Sequence, residues 1–149
     1  MDANRMLFPL FVDLQGKLAV VVGGGTVAAR RTGALLRFGA RVRVVAPRVK
    51  ERLAGAEYVL RPYAPGDLTG ADLAVAATDD RQVNAAAGEE ARSLGIPVSV
   101  ADAPGECTFF FPAICEGGEL IAGMVSRNGD HRAVAGAARA VRRTLEEWK

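Results

Sequence analysis

The 149-residue sequence has little of the chemistry on which several protein classes depend. It holds two cysteines, Cys107 and Cys115, and a single histidine, His131. A structural zinc site takes about four such ligands, and the cysteines lack a C-x-x-C spacing. We therefore expect two reduced thiols and no metal site. The chain also lacks internal repeats, a linker and low-complexity tracts.

Excess charge and long hydrophobic runs are missing as well. The net charge is only +2, and no block of Lys and Arg stands out, so nothing indicates a nucleic acid partner. The apolar run Met6–Val12 is too short to span a membrane, and Asp13 follows it without a small-residue cleavage site. We expect a cytoplasmic protein with no membrane partner.

The strongest pattern present is an apolar strand that runs into a glycine-rich turn and a helix. Lys17–Val22 precedes a turn in which Gly23, Gly25 and Ala28 fit G-x-G-x-x-A. In this motif the first glycine makes a tight turn, the second lets a pyrophosphate approach the backbone, and the small third residue packs helix on strand. Because strand and helix signals flank the turn, the sequence predicts dinucleotide binding there.

Strand and helix signals then alternate, which predicts a Rossmann-type, doubly wound α/β fold with a parallel sheet covered on both faces. The predicted strands are 17–22, 41–46, 57–61, 71–77 and 97–101, and the predicted helices are 27–38 and 81–94, the second capped by Asp79 or Asp80.

The last third of the sequence changes character. Thr108–Phe111 and Glu119–Val125 are predicted strands with no helix between them, and a helix from about His131 to Trp148 follows. Strands without a covering helix leave an edge that a second copy can protect, so we expect a homodimer built mainly by residues 113–126. The predicted domains are a dinucleotide-binding domain, 1–112, and a dimerisation region, 113–149.

Ligands of open α/β sheets bind beyond the carboxyl ends of the strands. The residues predicted there are Gly23, Gly24, Gly25, Thr26 and Val27 after the first strand, Pro47 and Arg48 after the second, Thr78 and Asp79 after the fourth, and Asp102 after the fifth. The acidic residue that usually holds the adenosine ribose is missing from the second strand end. Arg48 can signal NADP there, while backbone groups can equally hold the ribose of NAD.

Asp102 is the carboxylate expected at the end of an interior strand among small neighbours. Beside a nicotinamide it can accept a proton from a substrate as hydride leaves. It can equally cap a turn against the Pro104-Gly105 backbone, and the residues alone leave both roles open. Asp79 and Asp80 are expected to be helix caps rather than catalysts.

Several motifs, taken in order, resemble one family over nearly all of the chain. They are Pro9–Leu14, Val21–Arg30, Ala76–Asp80 with Asn84, Val100–Pro104 and Phe110–Ala113. The sequence resembles precorrin-2 dehydrogenase, the N-terminal module of siroheme synthases. The resemblance implies NAD-dependent oxidation of precorrin-2 to sirohydrochlorin by a homodimer, and some members also insert ferrous iron into the product.

The resemblance also assigns residues. Thr26, Val27, Pro47 and Arg48 would touch NAD, and Asp102 matches the aspartate assigned to catalysis. The polycarboxylate precorrin-2 would be bound by residues of the charged turn before the last helix, Ser126, Arg127, His131 and Arg132, although these can also simply be exposed. Family members usually continue into a further helical domain that helps to cover the active site.

Two other functions fit parts of the pattern. Nucleotide-sensing modules of potassium transporters share the glycine turn and a Thr–Asn pattern at the fourth strand, but normally keep the acidic residue after the second strand. They also do not need Asp102-Ala103-Pro104 followed by Phe109–Pro112. A non-catalytic NAD-binding remnant is the third interpretation.

Overall fold

The computed structural model describes residues 5–148, and the chain forms two compact units. One unit is Val12–Phe109, here called the sheet unit. The other combines residues 5–11 with residues 110–148 and is called the hairpin unit.

The sheet unit contains five parallel strands in the order β3-β2-β1-β4-β5. The elements are β1 Leu18–Val22, α1 Thr26–Arg37, β2 Arg41–Val45, β3 Ala56–Val59, β4 Leu73–Ala76, α2 Arg81–Ser93, β5 Val98–Val100 and a 3₁₀ turn, Pro104–Glu106. The crossovers through α1 and α2 lead outward in opposite directions from β1 and β4. Because crossovers between parallel strands are right-handed as a rule, we expect the two helices on opposite faces. The predicted Rossmann-type fold is confirmed.

The central strands β1 and β4 are apolar on both sides, as expected where both faces of a sheet are covered. Ala19–Val22 of β1 are at most 1% exposed. Val22 pairs with Val45 of β2 and with Ala76 of β4, so the three strands end level with one another. The turns that follow them therefore meet at one edge of the sheet.

The helix boundaries follow from local capping. Asp80 caps α2, because its carboxylate accepts a hydrogen bond from the Gln82 N–H at 2.9 Å. Of the two predicted caps, the structure selects Asp80. α1 begins after Gly25, which supplies no side-chain cap. Its first-turn N–H groups thus remain available to another acceptor.

The hairpin unit contains β6 Ala113–Gly117, the antiparallel β7 Leu120–Met124, and α3 His131–Glu147, which packs on β6. The predicted strand Thr108–Phe111 is wrong. Thr108 lies beside β5, where its N–H donates to the Val98 carbonyl at 2.8 Å and its hydroxyl accepts from the Val98 N–H. The Thr108 hydroxyl thus occupies the Val98 N–H that a strand ladder would use. The strand forms later in the chain, where Ala113–Gly117 pairs with β7.

Within residues 5–148, no helix combines the length and apolar character needed to cross a membrane. The same residues contain no cluster of three His, Cys, Asp or Glu side chains arranged to hold a metal ion.

Candidate functional site

The turn after β1 meets the turn after β4 at the point where the strand order reverses. Gly23 has φ +131°, and a Cβ on it would lie 2.3 Å from the Ala77 carbonyl oxygen. Its N–H donates to the Val45 carbonyl at 3.0 Å. Only glycine satisfies both the dihedral angle and the close approach, so Gly23 makes the tight turn that the motif requires.

Gly24 is required for a different reason. A Cβ at this residue would lie 1.9 Å from the Arg48 carbonyl oxygen. The loop after β2 is held against the turn, because the Lys50 N–H donates to the Gly24 carbonyl at 2.8 Å and the Lys50 ammonium donates to the Thr26 hydroxyl at 3.2 Å. The structure thus brings together two predicted groups, the glycine turn and the Pro47-Arg48 segment.

Gly25 meets neither constraint. Its φ is −86°, which any residue adopts, and no described atom outside its immediate neighbours lies within 4 Å of a Cβ built on it. It is exposed at the N-terminus of α1, whose first N–H groups attract anions. The fold itself leaves open space at Gly25, so the residues present fit a pyrophosphate resting on this turn.

A buried amide fixes the turn after β4. Asn84, with no exposed surface, accepts hydrogen bonds from the Thr78 N–H at 2.9 Å and the Thr78 hydroxyl at 2.7 Å, and donates to the Thr78 carbonyl at 3.0 Å. Thr78 is thereby held at the edge of the sheet, with Asp79 exposed beside it. Asn84 was not among the predicted site residues. The available signal was the motif that combines Ala76–Asp80 with Asn84.

Asp102 lies after β5 and forms an ion pair. The predicted interior strand is wrong, because β5 is an edge strand that, among the described residues, pairs with β4 on one side only. Asp102 Oδ1 accepts from Arg81 Nη1 at 2.8 Å, and Arg81 Nη2 donates to Glu106. The described residues give the Asp102 carboxylate this cation as its partner rather than the Pro104-Gly105 backbone. Arg81 was not predicted, because a contact across 21 residues leaves no local pattern in the sequence.

A groove of about 480 Å³ lies between α1 and the loop after β2. It is lined by Thr26, Ala29, Arg30, Gly33, Lys50, Glu51 and Leu53. Both signs of charge are present in this lining. The groove begins at the same Thr26 that Lys50 holds, so it adjoins the glycine turn.

The residues predicted to bind substrate lie in the hairpin unit, around the start of α3. The Ser126 hydroxyl accepts from the Asp130 N–H at 3.0 Å, and the Asp130 carboxylate caps α3 by accepting from the Ala133 N–H at 2.9 Å. Arg127, His131 and Arg132 are exposed. The structure therefore groups the four residues, Ser126 with these three, around one capped helix start.

Comparison with known families decides the classification of the glycine turn. Residues 10–113 match a family described as putative NAD(P)-binding. The chain belongs to this family. The match contains every strand of the parallel sheet and all three loops with predicted cofactor residues, and it confirms the dinucleotide-binding fold that the sequence predicts.

Several proteins with similar sequences are named siroheme synthases. The chain is 46% identical over 144 residues to a siroheme synthase of Ectopseudomonas mendocina and 45% identical over 146 residues to one of Pseudomonas aeruginosa. Each match covers 94% of this chain and 30% of the relative. The chain therefore spans less than a third of the length of these relatives, and the predicted resemblance to siroheme synthases is confirmed over that part.

A solved structure described as SirC, precorrin-2 dehydrogenase, has the same fold. Its TM-score is 0.76 at 24% sequence identity, covering 95% of this chain and 72% of that chain. The match confirms the predicted Rossmann-type fold with a C-terminal strand pair and helix, although the first strand of the pair is β6, Ala113–Gly117, and not the predicted Thr108–Phe111.

Proposed function

We propose that the chain is an NAD-dependent dehydrogenase that oxidises precorrin-2 to sirohydrochlorin in siroheme biosynthesis. The observation that carries the proposal is the edge of the parallel sheet, where an open glycine turn after β1 and an ion-paired carboxylate, Asp102, after β5 both follow strand ends. The names of the siroheme synthases and of the SirC structure support the substrate.

NAD, when bound, supplies a hydride acceptor. In the proposal, Gly23, Gly24, Gly25, Thr26 and Val27 would hold its pyrophosphate. Pro47 and Arg48 would contact the ribose, and Thr78 with Asp79 would contact the cofactor from the turn after β4. The preference for NAD over NADP rests on the family resemblance, since Arg48 alone would favour a 2′-phosphate.

Asp102 handles the proton in this reaction. Oxidation of precorrin-2 removes two hydrogens: one leaves as hydride to the nicotinamide, and one leaves as a proton. An ionised carboxylate at the end of β5 accepts this proton directly or through water. General-base catalysis of this kind typically contributes about 10²- to 10⁴-fold in rate.

Precorrin-2 is a polycarboxylate, so cationic and hydrogen-bonding side chains suit its periphery. We assign this contact to Ser126, Arg127, His131 and Arg132. Insertion of ferrous iron into sirohydrochlorin, the second reaction of some family members, stays a prediction of the resemblance. The cytoplasmic location stays a prediction from the sequence pattern.

The proposed assembly is a homodimer formed through the hairpin unit. The large apolar side chains exposed in this unit are Met6, Phe8, Leu10, Phe11, Leu120, Ile121, Val125 and Trp148. Its described residues bury only two apolar side chains, Cys115 and Ala138. A second copy that covers the strand pair would remove this surface from water.

The test is turnover of precorrin-2 by the purified chain with NAD, followed by the absorbance of sirohydrochlorin and of NADH. We expect equal amounts of both products, and a rate about 10²- to 10⁴-fold lower for Asp102→Asn with nearly unchanged NAD affinity. Calorimetric titration compares NAD with NADP, and tighter binding of NADP would overturn the cofactor assignment.

Other results would favour the two alternatives. NAD binding without turnover would favour the non-catalytic remnant or the nucleotide-sensing module. Normal turnover by Asp102→Asn, or loss of NAD binding along with activity, would remove the proton-handling role from Asp102. Addition of ferrous iron to the completed reaction tests the second activity separately.

A further inference from the structure

We propose that Arg81 is a positioning residue that holds the Asp102 carboxylate by one oxygen and leaves the other for the proton. This inference rests on the proposed function. The observation behind it is the pair of bonds from one guanidinium, from Nη1 to Asp102 Oδ1 at 2.8 Å and from Nη2 to Glu106.

The local position of Arg81 does not account for its charge. It is the first residue of α2, where the helix dipole disfavours a cation, and among the described residues no ion pair joins it to Asp80, the N-cap beside it. Its favourable contacts are instead tertiary ones, made to the segment after β5. We therefore attribute the presence of an arginine at this position to its ion pairs with Asp102 and Glu106.

Stability alone is a weak reason for this ion pair. The side chains of Arg81 and Asp102 are 45% and 38% exposed, and ion pairs with such exposure contribute little to folding. What the guanidinium adds is geometry. Its planar fork places two nitrogens on two different carboxylates, which fixes both its position and the direction of its bonds.

The residue that carries the second carboxylate, Glu106, is anchored by its backbone. The Glu106 carbonyl accepts from Arg92 Nη1 at 2.8 Å, and the Glu106 N–H donates to the Ala103 carbonyl at 2.9 Å. The 3₁₀ turn is thus held by a second arginine of α2. Glu106 in turn orients Arg81, and Arg81 orients Asp102.

This arrangement distinguishes the two oxygens of Asp102. Oδ1 accepts from Arg81, whereas Oδ2 has no polar partner among the described residues. A carboxylate held by one oxygen keeps a defined direction for the other. Oδ2 is therefore the atom that we assign to the proton of the substrate.

The test combines Arg81→Gln, Arg81→Lys and Asp102→Asn with the double variant Arg81→Gln/Asp102→Asn. Displacement of a catalytic group by about 1 Å costs up to about 10²-fold in rate, so we expect Arg81→Gln to lower kcat by about 10- to 100-fold. KM for precorrin-2 and NAD affinity should hardly change. Arg81→Lys restores the charge but not the fork, so it should recover only part of the loss.

The decisive measurement is the comparison of backgrounds. If Arg81 acts through Asp102, adding Arg81→Gln to Asp102→Asn lowers kcat little further. The matched control is Arg43→Gln, which removes another exposed ion pair, to Glu57 at 3.0 Å, away from the site and should leave kcat unchanged. If Arg81→Gln does not fold, Arg81→Lys and Glu106→Gln carry the same test.

With an active wild type, two results would overturn the positioning role. Equal losses from Arg81→Gln in both backgrounds would show that it acts independently of Asp102. A raised KM for precorrin-2 at unchanged kcat would make it a substrate contact. A wild-type chain without turnover would overturn the proposed function and this role with it, so failure of the role alone appears only against an active wild type.

Discussion

The two units of the chain differ in how they bury apolar surface. The sheet unit has a core of valine, alanine and leucine side chains, several with no exposed surface, such as Val20, Val98 and Leu68. The described part of the hairpin unit buries two small apolar side chains and leaves Phe8 85% and Trp148 70% exposed.

The difference separates a unit that can supply its own core from one that has too little core to be stable alone. Isolated two-stranded hairpins are marginal in water, and one amphipathic helix adds limited burial. The apolar side chains that the hairpin unit exposes also favour its association with a second copy. We therefore expect mutations in the sheet unit to change folding and mutations in the hairpin unit to change assembly.

The largest effect should come from Gly24→Ala. The new Cβ would lie 1.9 Å from the Arg48 carbonyl oxygen, and no rotamer relieves a clash between Cβ and backbone. We expect the free energy of unfolding to fall by about 3 kcal/mol. Chemical denaturation followed by circular dichroism measures this loss.

The matched control is Gly25→Val, one residue further on. Open space surrounds the Cβ position there, so we expect the fold to survive and NAD binding to be lost, because the side chain occupies the space left for the pyrophosphate. Calorimetry measures the binding. If Gly25→Val bound NAD normally, the assignment of this turn to the pyrophosphate would be wrong.

A smaller effect, confined to assembly, is expected for Ile121→Asp in β7. Ile121 is 43% exposed, and a carboxylate within an apolar interface remains unpaired when the copies meet. Sedimentation should show the dimer dissociating at about 10-fold or more higher concentration. Leu94→Asp is the control, since Leu94 is 50% exposed in the sheet unit. A wild type that is monomeric at micromolar concentration would contradict the dimer.

The sequence predicted the sheet unit well because its signals are local. Gly23, Gly25 and Ala28 lie next to the strand and helix that they join, and Asp80 caps the helix that follows it. β6 was missed because Ala113–Gly117 has weak strand propensity and becomes a strand through pairing with β7. The ion pair between Arg81 and Asp102 was missed for the same reason, because the two residues come together only when the chain folds.

Within the sheet unit, Glu90→Gln should cost about 1–2 kcal/mol of folding free energy. The Glu90 carboxylate accepts from the N–H groups of Gly66 and Leu68, and an amide keeps only one acceptor oxygen. The oligomeric state should not change. Glu89→Gln, which loses only an exposed pair to Arg92, is the control.

The Glu90→Gln variant can also be followed through the absorbance of the Tyr63 phenolate. Burial, together with the charge of Glu90, raises the pKa of Tyr63 to about 12. A raised pKa stabilises the fold below the unfolded value near 10, and this contribution is lost as the pH rises from about 10 to about 12. Glu90→Gln should bring tyrosinate absorbance to lower pH. An unchanged titration would show that Glu90 does not act on Tyr63.

The smallest effect is expected for Asp67→Asn in the loop before β4, and it should disappear at low pH. The Arg61 guanidinium donates to both carboxylate oxygens, at 2.7 and 2.8 Å, and this hydrogen bonding lowers the pKa of Asp67. A lowered pKa stabilises the folded state above the unfolded value of about 4, and that contribution is lost as the pH falls through the folded value.

Asp67→Asn should therefore lower Tm by a few degrees at neutral pH and by progressively less below about pH 4. Because the pair lies in the sheet unit, the sedimentation behaviour should stay that of the wild type throughout. A Tm difference that persists at the lowest pH would assign the loss to the hydrogen bond from the Ala64 N–H, at 2.8 Å, rather than to the charge of Asp67.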